Sequence, residues 1–259
     1  MSEIAHNDRG FTLGHGLFET VLWSQGRLHH WDAHLDRMAR GCPLLGLPTP
    51  DRATSLREAE AALAGARAPA RAAVRLNWSA GAGGRGLDMP ALVEPMLSAS
   101  AAAVGPPPAT LRLATAQTRR NDASPASRLK TLSYLDNVLA RAEARAAGAD
   151  EALMLNTRGD VAGAAAANVF WVRGGAVFTP ALACGVLQGI VRTEVLRACE
   201  RLSVPLAEVR APPQDFAGDP MFLTNSLIGL CPVSHLDGHA LETSPIFDEI
   251  AGRLRSGAD

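Results

Sequence analysis

The chain alternates between stretches of two-residue and of helical periodicity, and turn residues mark most of the switches. Phe11 to Trp23 mixes glycines with apolar residues, and Ser24-Gln25-Gly26-Arg27 then marks a hairpin turn. Trp31 to Met38 opens a helix with Leu35 and Met38 on one face. Pro43 and Pro48 bound the next connection. Ser55 to Gly65 is alanine-rich and helical, with Glu58 and Glu60 expected outside. Arg71 to Asn77 alternates as a strand, Ala80 to Gly86 forms a flexible loop, and Val93 to Ala102 reads as another strand.

Consecutive prolines in Val104-Gly105-Pro106-Pro107-Pro108 favour an extended, semi-rigid spacer. The spacing predicts a first domain over residues 1–103, a linker at 104–109 and a larger domain over 110–259. Beyond the linker, Leu111 to Ala116 reads as a strand and Leu129 to Ala147 as a helix stopped by Gly148. Glu151 to Leu155 is a strand, followed by a hairpin turn at Asn156 to Asp160. Asn168 to Val172 and Val177 to Thr179 pair across Gly174-Gly175. Ile190 to Arg201 is helical, Met221 to Thr224 a short strand, and Ile246 to Leu254 a terminal helix. Mixed elements in two unequal halves predict an α/β or α+β enzyme with its cleft between the domains.

A net charge of −1 argues against a nucleic-acid footprint or a polybasic membrane face. No apolar run reaches spanning length, and the N-terminus has neither a basic flank nor an apolar stretch, so no signal peptide is expected. Cys42, Cys184, Cys199 and Cys231 lack CxxC spacing and read as reduced, mostly buried thiols of a cytoplasmic protein. His29, His30 and His34 have no second pair, so no metal site is expected.

Composition changes the picture at one residue. Of 25 basic side chains, Lys130 is the only lysine. Arginine serves solubility and surface ion pairs equally well, but its guanidinium stays protonated and is a poor nucleophile. A lone lysine therefore reads either as an amine kept for chemistry, a Schiff base first of all, or as a stray surface residue. The only tyrosine, Tyr134, follows four residues later.

Several segments together resemble the fold-type IV (class IV) pyridoxal-phosphate (PLP) enzymes, the family of branched-chain and D-amino-acid aminotransferases and aminodeoxychorismate lyase. They are Asp8-Arg9-Gly10 with Gly14 to Thr20; His34-Leu35-Asp36-Arg37; Lys130 to Leu135; Ala149 to Ala152; Ala167 to Phe170; Gly189 to Arg192; and Phe222 to Ser226. They occur in order over residues 8 to about 240. The resemblance implies a two-domain fold with the active site at the domain interface, pyridoxal 5'-phosphate as cofactor and Lys130 as its Schiff-base lysine. It implies that Arg37 binds the cofactor phosphate, with Ile190 and Val191 offering amides and Ser226 a hydroxyl; Tyr134 would lie near the cofactor. Ordinary readings stand beside these: an exposed helix arginine, a serine cap, a buried helix tyrosine. Gly163, followed by Ala164, replaces the glutamate that usually keeps the pyridine nitrogen protonated.

Three positions lean toward aminodeoxychorismate lyase. Thr20 matches a threonine proposed to assist proton transfer, Arg85 an arginine that could bind a substrate carboxylate, and Asn225 a residue of the substrate pocket. Each also has a local reading, as β-branched strand residue, solvated loop charge and turn former. The implied reaction converts 4-amino-4-deoxychorismate to 4-aminobenzoate and pyruvate, a step of folate biosynthesis. The alternatives are a class IV aminotransferase of D-amino or branched-chain amino acids, or a relative impaired by Gly163. A homodimer with a small-molecule amino substrate is expected, with no nucleic-acid or membrane partner.

Overall fold

The computed structural model describes residues 4–256. The chain divides into two compact units, Met1–Pro106 with Leu129–Tyr134, and Pro107–Arg128 with Leu135–Asp259.

The first unit is a four-stranded antiparallel sheet covered by two helices. Strands β1 (Gly16–Ser24), β2 (Arg27–Leu28), β3 (Arg71–Ser79) and β4 (Met96–Ala103) lie in the order β2-β1-β3-β4. A short helix, α1 (Arg9–Leu13), precedes them; α2 (Trp31–Gly41) and α3 (Arg52–Gly65) lie between β2 and β3. Gln25 and Gly26 both take positive φ, as a two-residue hairpin turn matched to strand twist requires. Side chains alternate across a strand. Leu17 and Val21 of β1 therefore join Val74 and Leu76 of β3 on the face covered by Leu35 and Met38 of α2 and Leu63 of α3. Phe18 and Thr20 project from the opposite face.

The second unit is a curled mixed sheet. Its strands are β5 (Leu111–Thr115), β6 (Glu151–Leu155), β7 (Val161–Ala164), β8 (Asn168–Arg173), β9 (Ala176–Pro180), β10 (Leu206–Val209), β11 (Met221–Asn225) and β12 (Gly229–Leu236). They run in the order β10-β9-β8-β11-β12-β5-β6-β7, and β13 (His239–Ala240) pairs with β12. Helices α4 (Leu135–Ala146), α5 (Ile190–Leu202) and α6 (Pro245–Ser256) cover it. Phe170 of β8 stacks on Phe222 of β11 at 4.8 Å, in a core shared with Val195 of α5 and Ile250 of α6. All four cysteines are buried and free. Burial pushes the thiols of Cys42, Cys199 and Cys231 up to about 11, which removes them as nucleophiles at neutral pH. Among the described residues no helix is long and apolar enough to cross a membrane, and no three His, Cys, Asp or Glu side chains gather as a metal site.

One sequence expectation is overturned where it matters most. The helix expected from Leu129 begins at Leu135. Residues 129–134 are held outside the helix by the edge of β1, which takes their backbone groups. Phe18 N–H donates to Lys130 O at 2.8 Å, Leu132 N–H donates to Gly16 O at 2.9 Å, and Leu17 bridges Thr131. The same bonds place Lys130 in the first unit, not in the larger C-terminal one as expected. Gly16 permits this approach. A Cβ there would lie 2.5 Å from the Trp78 carbonyl and 2.7 Å from the Leu132 side chain. Gly16→Ala is expected to lower stability by about 1–3 kcal/mol through overpacking; a thermal melt showing no decrease would contradict this close packing.

Candidate active site

In the first unit the site is built on the outer face of β1. Lys130 is half-buried, its Nζ 4.1 Å from the centroid of the Phe18 ring and 5.2 Å from that of Tyr134. Phe18 and Tyr134 meet edge to face at 5.1 Å. The structure thus brings Lys130 and Tyr134 together around a phenylalanine that sequence reasoning treated only as part of a motif. Thr20 lies directly across from Arg75 of β3 in the strand register. Arg75 stacks its guanidinium 3.8 Å from the same Phe18 ring and donates from Nε to Asn77 Oδ1 at 2.7 Å. Asn77 Nδ2 in turn reaches Ser98 Oγ. Burial pushes the Arg75 guanidinium below the usual arginine range, with only Tyr134 acting the other way. Lys130 and Arg75 share one aromatic ring, and among the described residues no carboxylate pairs with Arg75, so this patch is suited to an anion. Arg75 was missed because a polar residue in the outward phase of a strand ordinarily faces solvent.

The opposite face of β1 holds Arg37. Glu19, one step along the strand from Phe18, is buried at 1% exposure beneath α2. Arg37 donates to it from Nε at 2.8 Å and from Nη2 at 2.5 Å, and His34 Nδ1 lies 2.7 Å away. His34 and Arg37 are three residues apart on α2, so both reach one carboxylate. Burial alone would raise the Glu19 pKa; the charge and hydrogen bonds of Arg37, then those of His34, overcome it and hold the carboxyl at about 2. Burial pushes His34 down, partly offset by Glu19. The cluster is therefore a carboxylate–guanidinium pair beside a largely uncharged imidazole. Glu19 fixes the orientation of Arg37 and neutralises much of its charge, so Arg37 can serve an anion chiefly as an oriented donor. Arg85 lies elsewhere in this unit, exposed on the loop after β3.

In the second unit the remaining predicted residues gather at the joined ends of β7, β8 and β11 and the start of α5. Gly189 is the N-cap of α5 and provides no side-chain cap, which leaves first-turn amides, including those of Ile190 and Val191, for other acceptors. A Cβ at Gly189 would sit 2.0 Å from Asn168 Oδ1. Asn168 pairs across the sheet with Thr224, whose Oγ1 is buried with no hydrogen-bond partner among the described residues. Ser226 follows two residues on, half-buried. Asn225 is committed to its turn. Its Oδ1 accepts from Leu227 and Ile228 N–H, both at 2.9 Å, and its Nδ2 donates to Ala166 O at 3.0 Å. These bonds show Asn225 acting as a turn former. Gly163 is buried at φ +119°, and Ala164 after it donates its N–H to Ala167 O at 2.8 Å. A side chain at 163 would be strained by that φ and would place its Cβ 3.3 Å from the Ala167 carbonyl.

The family described as Amino-transferase class IV matches residues 16–236. An aminodeoxychorismate lyase of Vibrio harveyi is 30% identical over 88% of this chain and 85% of its own length. A provisionally assigned branched-chain-amino-acid aminotransferase of Methanocaldococcus jannaschii is 27% identical, over 96% and 87%. Among solved structures, a provisionally assigned 4-amino-4-deoxychorismate lyase of Legionella pneumophila superposes with a TM-score of 0.92 at 26% identity, covering 99% of this chain and 96% of that one. The chain belongs to the class IV aminotransferase family, whose members are pyridoxal-phosphate-dependent enzymes of fold type IV.

The residues present fit that cofactor in two respects and depart in one. Lys130 supplies the amine. Within the second unit, the α5 first-turn amides and the Thr224 hydroxyl, which has no hydrogen-bond partner among the described residues, are donors of the kind a phosphate needs. Gly163 supplies no carboxylate for the ring nitrogen.

Glu19→Gln is expected to cost roughly 3–5 kcal/mol, the usual consequence of removing one member of a buried pair, and to weaken pyridoxal-phosphate binding. Because the folded pKa lies below the ordinary value of 4.5, the carboxylate's contribution is complete above pH 4.5 and fades as pH falls toward 2. The stability gap between wild type and variant, read from denaturant melts, should narrow over that interval; a gap independent of pH would exclude an ionised Glu19 as its source.

Proposed function

We propose that the chain is an aminodeoxychorismate lyase, which converts 4-amino-4-deoxychorismate to 4-aminobenzoate and pyruvate. The observation that carries the reading is the Phe18 ring flanked by Lys130 and Arg75, with Thr20 directly across from Arg75. Phe18, Thr20, Arg75, Asn77, Ser98 and Ser100, which share this sheet face by register, include no carboxylate. Such a face suits a substrate with two carboxylates of its own. Arg75 is the cation this face offers them; on the family resemblance Arg85 is assigned to the second carboxylate, and Arg37, Ile190, Val191 and Ser226 to the cofactor phosphate. Tyr134 packs beside the reacting amine.

Bound pyridoxal phosphate supplies the electron sink on which this chemistry draws. The side chains do the rest. Lys130 Nζ removes the proton from the ring carbon that bears the amine, and the Thr20 hydroxyl assists this transfer. The ether C–O bond breaks, and the departing enolpyruvate gains a proton at its methylene carbon to become pyruvate. The ring loses a proton from the amine-bearing carbon and the ether oxygen from the neighbouring carbon and becomes aromatic, so no oxidant or 2-oxo acid is consumed. Gly163 is compatible with this chemistry because aromatisation contributes its own driving force. Transamination has no such driving force and depends more heavily on a protonated pyridine.

The second reading is an aminotransferase of D-amino or branched-chain amino acids, favoured by the near full-length similarity to the Methanocaldococcus jannaschii protein. A third, prompted by Gly163, is a relative that binds the cofactor with little turnover. A homodimer fits the exposed apolar side chains of Phe11, Leu13, Leu44 and Leu92 in the first unit, surface that a second copy would cover. We place the reaction in folate biosynthesis, in the cytoplasm.

With pyridoxal phosphate and 4-amino-4-deoxychorismate, the protein should release 4-aminobenzoate and pyruvate in equal amounts with no 2-oxo acid added. Lys130→Ala should abolish release and remove the borohydride-fixed cofactor adduct seen by mass spectrometry at that residue. Turnover only with an amino acid and a 2-oxo acid would establish the second reading; an adduct with no turnover on either would establish the third.

A further inference from the structure

Arg9 is buried at 3% exposure, makes no ion pair among the described residues, and belongs to no step above. Its guanidinium is nevertheless one of the most fully engaged groups in the molecule. Nη1 donates to Gly86 O at 3.4 Å and Asp88 O at 3.0 Å, Nη2 donates to Leu87 O at 2.8 Å, and Nε donates to His15 Nδ1 at 3.2 Å. His15 Nε2 lies 2.9 Å from Leu45 O. The carbonyl must accept, so Nε2 carries the ring proton and Nδ1 is left to accept from Arg9. Four N–H bonds thus converge on one side chain, and three of their acceptors are consecutive carbonyls of the loop that follows β3.

The loop has few other ties to the fold. Asn7 and Asp8 hold its start through Gly83 N–H to Asn7 O and an Asp8–Ala82 bridge. Beyond Gly83, residues 84–88 are exposed, Leu87 at 81%. Gly83 admits the arginine stem, since a Cβ there would lie 2.7 Å from Arg9 Cγ and Cδ. Gly86 takes φ +96°, which helps aim its carbonyl inward. The loop therefore wraps its backbone around Arg9 while Arg85 stays exposed.

We propose that Arg9 is a positioning residue that sets Arg85 for a substrate carboxylate, an inference that rests on the role assigned to Arg85 above. A cation on a loop of five exposed residues loses conformational freedom when it grips an anion, and that loss weakens binding. A loop whose carbonyls are already pinned incurs less of it. Lysine cannot substitute, because a point charge cannot bond three divergent carbonyls and an imidazole at once.

The test uses the cofactor-loaded enzyme with 4-amino-4-deoxychorismate and three variants, Arg9→Lys, Arg85→Ala and the double variant, with Gly86→Ala as a loop perturbation that keeps Arg9. Amide hydrogen exchange over residues 83–89 reads the clamp without reference to activity. Arg9→Lys should speed that exchange and raise KM by about tenfold with kcat little changed, the loss of one or two charge-assisted hydrogen bonds. Gly86→Ala should do the same more weakly. The double variant should be no worse than Arg85→Ala alone, because Arg9 acts only through Arg85. Unchanged exchange in Arg9→Lys overturns the clamp. Faster exchange with an unchanged KM, or effects that simply add, overturns the positioning role and leaves Arg9 a structural residue. If Arg85→Ala itself leaves KM unchanged, the assignment of Arg85 fails and the positioning role fails with it, whatever the exchange shows.

Discussion

The pairing of residues 129–134 with the edge of β1 is the constraint on which the first unit's chemistry depends. Two backbone hydrogen bonds, Phe18 N–H to Lys130 O and Leu132 N–H to Gly16 O, hold the only lysine against an aromatic ring. A lysine on a free helix surface would sweep many rotamers through water; this one is anchored at its own carbonyl, with Phe18 and Tyr134 beside its ammonium. The same strand serves both sides. Phe18 and Thr20 face outward with Lys130 and Arg75, while Glu19 faces inward and orients Arg37. Three consecutive residues thus connect the proposed reacting amine to the proposed phosphate donor through one rigid element, the arrangement a preorganised site needs.

The elements with a strong local signal were legible in the sequence. Leu35 and Met38 are both buried on the inner face of α2, and Trp171 pairs with Phe178 across the Gly174-Gly175 turn. Lys130 stood out because its chemistry has no substitute in an arginine-rich chain. What stayed hidden was non-local. Leu129, Leu132 and Leu135 recur at helical spacing, yet the first two lie outside the helix because an open strand edge competed for their backbone. Glu19 and Arg37 are 18 residues apart, and nothing in either segment alone announces a buried pair. Arg75 was visible as the polar phase of a strand, but only the register across to Thr20 shows what it accompanies. For Asn225, local and functional readings drew on the same letters, and its three hydrogen bonds show the local one.

The second unit relies on small residues to bring backbone groups close. Gly189 lets Asn168 pack beneath the first turn of α5, and Asn168 Nδ2 secures the approach by donating to Leu187 O at 2.9 Å. The run from Gly163 to Ala167 turns tightly between β7 and β8, with Asn137 donating to Ala165 O at 2.6 Å and Asn225 to Ala166 O. Two asparagines from different elements therefore fix a turn that has almost no side chains of its own. The result is an edge whose shape is set by the main chain.

Gly163 also has a consequence for redesign of the site. At φ +119° it occupies backbone territory that an L-residue enters only under strain. Placing glutamate at 163 would therefore not simply add a carboxylate; the Ala164–Ala167 turn and its asparagine tethers would have to give as well. A carboxylate at this position is thus a property of the whole turn and not of one side chain.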